Sequence, residues 1–158
     1  MITYKENPNN ENELFEVLHP VVKSWFKNKF NTFSLPQLYG VMEVHSRNNV
    51  LISAPTGATK TLTGFMAIIN ELIDSSLKGI LEDKVYCVYI SPLKAFNNYI
   101  HKNLLEPLQE MEKIYDKQNI DKIAKKNMGI RIAVRTGDTT QKEKSEMGLS
   151  FEELTKMI

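Results

Sequence analysis

Three features that often point directly to a function are scarce in this chain: charge of one sign, cysteine and long apolar runs. The 20 Lys and Arg residues nearly balance the 19 Asp and Glu residues, so the net charge is +1 and no overall basic field attracts nucleic acid. The single cysteine, Cys87, excludes an internal disulfide and is expected to be a small buried hydrophobe. No apolar run approaches the roughly 18 residues that a membrane span needs. Any nucleic-acid contact must therefore come from local groups.

The N-terminal residues 1–12 are polar and Asn-rich, and they carry no signal-peptide pattern. We therefore expect a flexible N-terminal arm and a cytoplasmic protein. With 158 residues, of which 42% are hydrophobic, the chain has the size and composition of about one globular domain.

Helical patterns begin directly after this arm. A short helix is expected over residues 13–18, and Pro20 suits the first turn of a second helix. One apolar face of that second helix is formed by Val21, Val22, Trp25, Phe26 and Phe30. Trp25 is expected to pack in the core rather than to contact a ligand.

Gln37 has two interpretations. Ser34 followed by Gln37 three residues later is the pattern of a capping box for a helix over about residues 36–45. Alternatively, the Gln37 carboxamide offers one donor and one acceptor, which can satisfy N6 and N7 of adenine together. A phosphate-loop pattern further along the chain strengthens the adenine interpretation, and both alternatives stay open.

Residues 54–61, Ala-Pro-Thr-Gly-Ala-Thr-Lys-Thr, have the pattern of a phosphate-binding loop. They follow an apolar run at 49–53, which predicts a buried parallel strand. They open a helical pattern whose apolar face comprises Leu62, Phe65, Met66, Ile69 and Ile73. The first amides of a helix have no intrahelical partner and the helix dipole adds positive charge there, so they bind anions. The alternative is a plain strand-to-helix turn with a solvated lysine.

The candidate cofactor-binding residues of this loop are Thr56, Gly57, Ala58, Thr59, Lys60 and Thr61. Lys60 would place its ammonium on the terminal phosphates of ATP, and the Thr61 hydroxyl would be a ligand of Mg²⁺. In the general pattern G-x-x-x-x-G-K-[ST], Ala54 here replaces the first Gly and Thr59 replaces the second, and the exchange at Thr59 is the larger departure. Thr59 carries a β-branched side chain where Gly lets the backbone approach a phosphate and tolerates positive φ.

Two further apolar runs, at 85–90 and 130–134, predict strands that are buried on both faces of a parallel sheet. Polar turns follow them at 91–94 and 135–139. Strands that alternate with helices predict right-handed crossovers and an open parallel α/β sheet of about three strands. Ligands of such sheets bind beyond the carboxyl ends of the strands, where residues 54–61 and both turns would gather.

The helical pattern after residue 94 contains Pro107, which should kink or split that helix near Leu105 or Glu106. The segment that follows is rich in lysine and is interpreted as a solvated face. Its lysines are Lys113, Lys117, Lys122, Lys125 and Lys126.

Taken in order, these motifs resemble the first RecA-like domain of a superfamily-two DEAD/DEAH-box helicase. The large helicase-related, or Lhr, type is the closest subgroup. The matching residues span about 14–140 and are Leu18-His19-Pro20, Trp25-Phe26, Pro36-Gln37, Ala54-Pro55-Thr56-Gly57, Lys60-Thr61, Ser91-Pro92-Leu93-Lys94-Ala95, Asn97-Asn98 and Val134-Arg135-Thr136-Gly137-Asp138-Thr139. The resemblance implies an incomplete RecA-like (P-loop) parallel sheet flanked by helices, and it places Gln37 in a Q-motif arrangement.

The resemblance also implies that the two polar turns contact the backbone of one strand of DNA or RNA. The candidate nucleic-acid-binding residues are Ser91, Pro92, Lys94, Arg135, Thr136 and Gly137. Backbone amides, hydroxyls and cations suit phosphate contacts, which position a nucleic acid without selecting its sequence. For Gly137 and Asp138, a simple turn with a helix cap is the open alternative.

Two parts of the family pattern are not found in the 158 residues. No strand pattern ends in Asp-Glu, so the acidic motif that the family uses to hold the water shell of magnesium is missing. The second RecA-like domain, which supplies the arginine finger in the family, is also missing. The expected organisation is a partial RecA-like ATP-binding domain over 13–148 with an N-terminal helical segment, followed by a divergent tail over 149–158.

Three function hypotheses follow. The leading one is an ATP-binding and nucleic-acid-binding N-terminal part of an Lhr-type helicase, which neither hydrolyses ATP nor unwinds nucleic acid alone. A partner chain or a C-terminal portion would have to complete its catalytic site. The second is a non-catalytic remnant that keeps the fold and binds no ATP. A small P-loop kinase is the third, and it is disfavoured because a Gln-bearing helix precedes the loop.

Overall fold

The structure is a computed structural model, and it describes residues 2–55, 59–90, 101–118, 128–133 and 140. The described residues form α1 (Glu11–Val17), α2 (Pro20–Lys29), α3 (Leu35–His45), α4 (Lys60–Lys78) and α5 (Glu106–Gln118), with a π-helical stretch at His101–Leu105 directly before α5. None of these described helices combines the length and the apolar character that crossing a membrane requires.

Local sequence signals explain where these helices begin. Asn10 caps α1, because its side-chain oxygen accepts a hydrogen bond from the Glu13 amide at 2.9 Å and Glu13 Oε2 accepts one from the Asn10 amide at 2.9 Å. This box starts α1 at Glu11, two residues before the predicted start. α2 begins at Pro20, as predicted. The predicted break before Pro107 is confirmed, since α5 begins at Glu106 after the π-helical stretch.

All five described helices contribute buried apolar residues to one core. The predicted core position of Trp25 is confirmed, since 2% of its surface is exposed. Its indole Nε1 donates to Glu110 Oε2 of α5 at 2.6 Å, and Lys29 Nζ lies 2.7 Å from the same oxygen. Phe26 stacks on Phe33 with 4.0 Å between ring centroids. These contacts hold α2 against α5 and against the segment that leads into α3.

α3 packs directly on α4, and Gly40 makes this close approach possible. A Cβ atom added at Gly40 would lie 2.5 Å from Ile52 Cδ1 and 2.9 Å from Thr63 Cγ2. The absence of a side chain on α3 therefore lets segment 49–55 and the first turns of α4 come close to it. As a result the N-terminal ends of α3 and α4 lie side by side.

The predicted parallel sheet is not confirmed by the described residues, which contain helices and no assigned strand. The predicted burial of the runs at 49–53 and 85–90 is wrong. Leu51 is 95% exposed, Ile90 is 69% exposed, and Cys87 is exposed instead of buried. An apolar run shows that a segment can be buried, but burial needs neighbouring strands and helices on its faces, and no strand pairing covers these runs within the described part of the chain. One side of the second run does reach the helices, because the Tyr89 ring meets Phe65 edge-on at 4.9 Å.

Residues 5–9 lie along α3. Lys5 Nζ forms an ion pair with Glu43 at 2.8 Å, and the Asn9 amide donates to the Leu38 carbonyl at 3.0 Å. The Tyr39 hydroxyl donates to the Glu6 carbonyl at 3.3 Å. The polar arm is thus attached to the helix that carries Gln37 at several points.

Candidate functional site

The site begins at the N-terminus of α4, where the sequence predicts a phosphate loop. α4 runs for 19 residues, Lys60–Lys78, and is followed by Gly79, whose φ of 74° is the left-handed conformation common after a helix. Lys60 and Thr61 lie in the first turn of α4. The amides of such a turn have no intrahelical acceptor, and the dipole of a long helix places partial positive charge there.

The Lys60 side chain folds back over the start of the loop. Its Nζ donates a hydrogen bond to the Pro55 carbonyl at 2.8 Å and another to the Ala54 carbonyl. The ammonium therefore links the first residue of α4 to the carbonyls of Ala54 and Pro55, which differs from the solvated lysine of a plain strand-to-helix turn. A cation held over the N-terminus of a helix is an arrangement that suits a bound anion.

Thr59, which stands where the general pattern has Gly, is the N-cap residue of α4 and adopts a left-handed conformation with φ 52° and ψ 21°. A β-branched residue in this region is strained by about 1–2 kcal/mol relative to Gly. Thr59 still starts the helix, because its carbonyl accepts bonds from the Thr63 amide at 3.0 Å and from the Thr63 hydroxyl at 3.1 Å. Thr59 therefore adopts a positive φ of the kind that Gly would tolerate at this position.

A hydroxyl pair joins this loop to α3. Ser34 Oγ lies 2.5 Å from Thr59 Oγ1, and either atom can be the donor. Ser34 is also the N-cap residue of α3. The N-terminal ends of two helices are thereby connected through side chains at positions 34 and 59.

Gln37 caps α3, as one of its two interpretations predicts. Its side-chain Oε1 accepts a hydrogen bond from the Ser34 amide at 2.8 Å, and the residue is 2% exposed. Gln37 and Thr59 thus both contact Ser34, which links the start of α3 to the start of α4. The contact between Gln37 and adenine stays a prediction.

Thr61 is half-buried in the first turn of α4, beside the positive end of the helix. No group of three or more His, Cys, Asp or Glu side chains that could hold a metal ion occurs among the described residues. Mg²⁺ usually keeps several waters and is bound through one or two protein oxygens together with phosphates of the substrate. A single hydroxyl beside a phosphate-binding helix end fits that pattern.

The other predicted site residues lie outside the described part of the chain. They are Thr56, Gly57 and Ala58 of the loop and the nucleic-acid candidates Ser91, Pro92, Lys94, Arg135, Thr136 and Gly137. The residues that the structure does bring together are Ser34, Gln37, Thr59 and Lys60. Of these, the Ser34 hydroxyl was not predicted as part of the site. Its only sequence signal is its position as the N-cap that leads to Gln37.

A separate cleft of about 290 Å³ lies further along α4 and is lined by Glu16, Val17, Leu18, His19, Pro20, His45, Asn70, Glu71 and Asp74. Asn70 is ten residues after Lys60, so the cleft is about 15 Å from the loop along the helix. Its buried side chain accepts from the His19 amide at 2.6 Å and donates to the Val17 carbonyl at 3.0 Å. Burial lowers the pKa of the His19 imidazole, with Asp74 raising it and Lys78 lowering it to a smaller extent.

The sequence profile of the DEAD/DEAH box helicase family matches residues 35–158, and the chain belongs to this family. Members of the family share a RecA-like fold. No solved structure gave a significant match to the chain.

The similarity is high to helicases of the Lhr type. The chain is 46% identical over 147 residues to the ATP-dependent helicase Lhr-Core protein 2 of Thermococcus barophilus, and this alignment covers 93% of the chain and 16% of the relative. It is 47% identical over 151 residues to ATP-dependent helicase Lhr-Core of Methanocaldococcus jannaschii, which covers 92% of the chain and 17% of the relative. The Lhr helicase/uracil glycosylase of Escherichia coli is 28% identical over 148 residues, covering 90% of the chain and 9% of that protein. The chain thus spans about one sixth of the length of the Lhr-Core relatives.

Proposed function

We propose that this chain is the ATP-binding and nucleic-acid-binding N-terminal part of an Lhr-type DEAD/DEAH-box helicase that acts in the cytoplasm. The observation that carries the proposal is the position of Lys60. It starts a 19-residue helix and its ammonium lies over the carbonyls of Ala54 and Pro55. A phosphate chain bound at this helix end would meet both the helix amides and the lysine.

Each described residue of the site then has a specific role. Lys60 engages the β and γ phosphates by exchanging the loop carbonyls for phosphate oxygens, which are stronger acceptors because they are charged. Thr61 offers its hydroxyl to Mg²⁺, and Gln37 faces adenine. Since Gln37 Oε1 already accepts a bond from the Ser34 amide, its carboxamide NH₂ is the group that adenine would use first.

The loop residues Thr56, Gly57, Ala58 and Thr59 complete the proposed nucleotide site through their backbone amides. Ser91, Pro92 and Lys94 form one proposed contact with a DNA or RNA single strand. Arg135, Thr136 and Gly137 form the other. Both proposed contacts with DNA or RNA are to phosphate and sugar, so the affinity for nucleic acid would depend on the salt concentration and hardly on the base sequence.

Equilibrium titration of labelled ATP, with and without Mg²⁺, tests the nucleotide role. Saturable binding is expected, and Lys60→Ala should weaken it at least tenfold because the only cation held over the loop within the described residues is lost. Lys78→Ala is the matched control. Lys78 lies at the other end of the same helix, where it pairs with Asp74 at 2.6 Å, and its loss should leave ATP affinity unchanged. Absence of saturable binding at millimolar ATP would remove the nucleotide role.

We further propose that these 158 residues alone neither hydrolyse ATP nor unwind nucleic acid. Phosphoryl transfer needs positioned phosphates, magnesium, an oriented water and stabilisation of the developing charge. The residues named here supply candidates for the first two, and the sequence offers no acidic motif for the others. Turnover stimulated by single-stranded nucleic acid at the rate of an intact helicase would contradict this proposal.

A second candidate function is a non-catalytic remnant that keeps the fold and binds no ATP. The strain of Thr59 at a φ of 52° and the use of Gln37 as a cap support it. In that case ATP would leave thermal unfolding unchanged, whereas a nucleotide that binds only the folded chain raises its melting temperature.

A further inference from the structure

Thr59 is held in its unusual conformation from two sides. Its carbonyl is bound by the amide and the hydroxyl of Thr63, inside α4. Its own hydroxyl lies 2.5 Å from that of Ser34, on α3. A non-glycine residue with positive φ persists only where its surroundings over-determine it, and these contacts are the surroundings that the structure describes.

Ser34 divides its polar groups between two tasks. Its backbone amide donates to Gln37 Oε1 at 2.8 Å, and its carbonyl accepts the Gln37 amide at 2.9 Å, so the backbone serves the cap of α3. Its hydroxyl faces the Gln37 amide as the side-chain half of the capping box and also reaches the hydroxyl of the loop residue Thr59. Removing the hydroxyl therefore takes away the contact with the loop and the side-chain half of the capping box, while the two bonds between the Ser34 backbone and Gln37 remain.

The direction of the chain at Thr59 determines where Lys60 and the first amides of α4 point. A loop that holds this turn before a ligand arrives loses less conformational freedom on binding. A glycine at position 59 could adopt the same φ but could not form the bond to Ser34. The side chain that departs from the family pattern thus brings a fixing contact that the usual residue lacks.

We propose that Ser34 is a positioning residue for the phosphate loop. By bonding Thr59 it holds the turn that precedes Lys60, and it thereby raises the affinity of the loop for a nucleoside triphosphate. This inference rests on the nucleotide role proposed above and adds Ser34, at the start of α3 beside Gln37, to that site.

The test is a double-mutant cycle on the dissociation constant of Mg-ATP, with Ser34→Ala, Thr59→Val and the double variant. Thr59→Val keeps the branched shape and removes only the hydroxyl. Each single variant should weaken binding about three- to tenfold, as expected for the loss of one hydrogen bond. The double variant should be no weaker than either single variant, because both remove the same contact. Thr59→Ser, which keeps a hydroxyl, should retain most of the affinity.

Urea unfolding of the same four proteins separates this role from a structural one. If Ser34 acted only as a helix cap, Ser34→Ala would lower the free energy of unfolding equally with and without Thr59→Val. The two substitutions would then show no coupling in the ATP titrations. Additive losses of affinity, or single variants that bind like the unsubstituted chain, would overturn the inference while the nucleotide role stands. If the unsubstituted chain shows no saturable binding, the proposed function and this inference fail together.

Discussion

The side chain of Asn70 accepts a hydrogen bond from the backbone amide of His19 at 2.6 Å. The same side chain donates to the Val17 carbonyl at 3.0 Å, and Asn70 is 4% exposed. One buried amide on α4 therefore satisfies both backbone groups at the turn between α1 and α2. This contact fixes the N-terminal helices to the helix whose other end forms the candidate phosphate site.

Asn70→Ala should destabilise the fold. It leaves the His19 amide and the Val17 carbonyl without their partner in a poorly solvated place, which costs about 1–3 kcal/mol. Asn28→Ala, at an exposed position of α2, is the control and should change the free energy of unfolding by no more than about 0.5 kcal/mol. Urea denaturation measures both. Equal effects of the two substitutions would show that the two hydrogen bonds of the Asn70 side chain add no specific stability.

Thr59→Gly should raise stability by about 1 kcal/mol, because it removes the strain of a β-branched residue at a φ of 52°. In the Ser34→Ala background, where the bond between positions 34 and 59 is already absent, it should also tighten Mg-ATP binding by relieving crowding near the phosphates. Arg47→Gly is a matched control. Arg47 has a φ of 59° at the C-terminal end of α3, so its replacement should raise stability similarly and leave ATP affinity unchanged. An unchanged affinity on adding Thr59→Gly to Ser34→Ala would refute the crowding near the phosphates.

Gly40→Ala and Gly64→Ala should act in opposite directions. A Cβ at Gly40 would lie 2.5 Å from Ile52 Cδ1 and 2.9 Å from Thr63 Cγ2, so the packing of α3 on α4 must shift at a cost of about 1–3 kcal/mol. A Cβ at Gly64 meets nothing within 4 Å, and alanine there should stabilise α4 by up to about 1 kcal/mol. Thermal unfolding distinguishes the two. A stabilising Gly40→Ala would show that the contact between these helices is loose.

His19→Asn should flatten the dependence of stability on pH. Burial lowers the pKa of His19 below its ordinary value of 6.5, so below pH 6.5 the unfolded chain binds a proton before the folded chain does. The unsubstituted protein should therefore lose stability as the pH falls from about 6.5 toward the lower pKa of the folded state. Protonation also removes the Nδ1 acceptor that caps the Val21 amide at 3.3 Å.

Asparagine at position 19 keeps an N-cap acceptor and does not titrate. The free energy of unfolding of the unsubstituted protein, relative to that of His19→Asn, should thus fall when the pH is lowered from 7.5 to 5.5. The Glu110 carboxyl does not interfere. Burial raises its pKa, but hydrogen bonds from Lys29 and Trp25 outweigh this and leave it lowered from 4.5, below the pH range of the comparison. A constant difference across the range would mean that His19 does not titrate in this way.

The sequence predicted the local features of this molecule better than its long-range contacts. Caps and breaks follow from residues a few positions apart, and for this reason the box of Ser34 and Gln37, the start of α2 at Pro20 and the break before Pro107 were predictable. The burial of Cys87 was predicted from an apolar run alone, without knowledge of what would cover that run, and the prediction was wrong.

The contact between Ser34 and Thr59 spans 25 residues and depends on how closely α3 packs on α4. That approach is set by Gly40, which has no distinctive local signature. The sequence therefore predicted both ends of this link, one as a helix cap and one as a departure from the loop pattern. It could not predict that the two hydroxyls meet.

The most direct test of nucleotide binding at the start of α4 is to follow the backbone amide resonances of the labelled protein while Mg-ATP is added. The largest shifts should occur at Thr59, Lys60 and Thr61, with a second set at Ser34 and Gln37, and they should saturate together. Lys60→Ala should abolish this response while leaving the rest of the spectrum in place. Saturable shifts confined to α5 or to the cleft around Asn70, with Lys60 and Thr61 unmoved, would contradict a nucleotide site at this helix end.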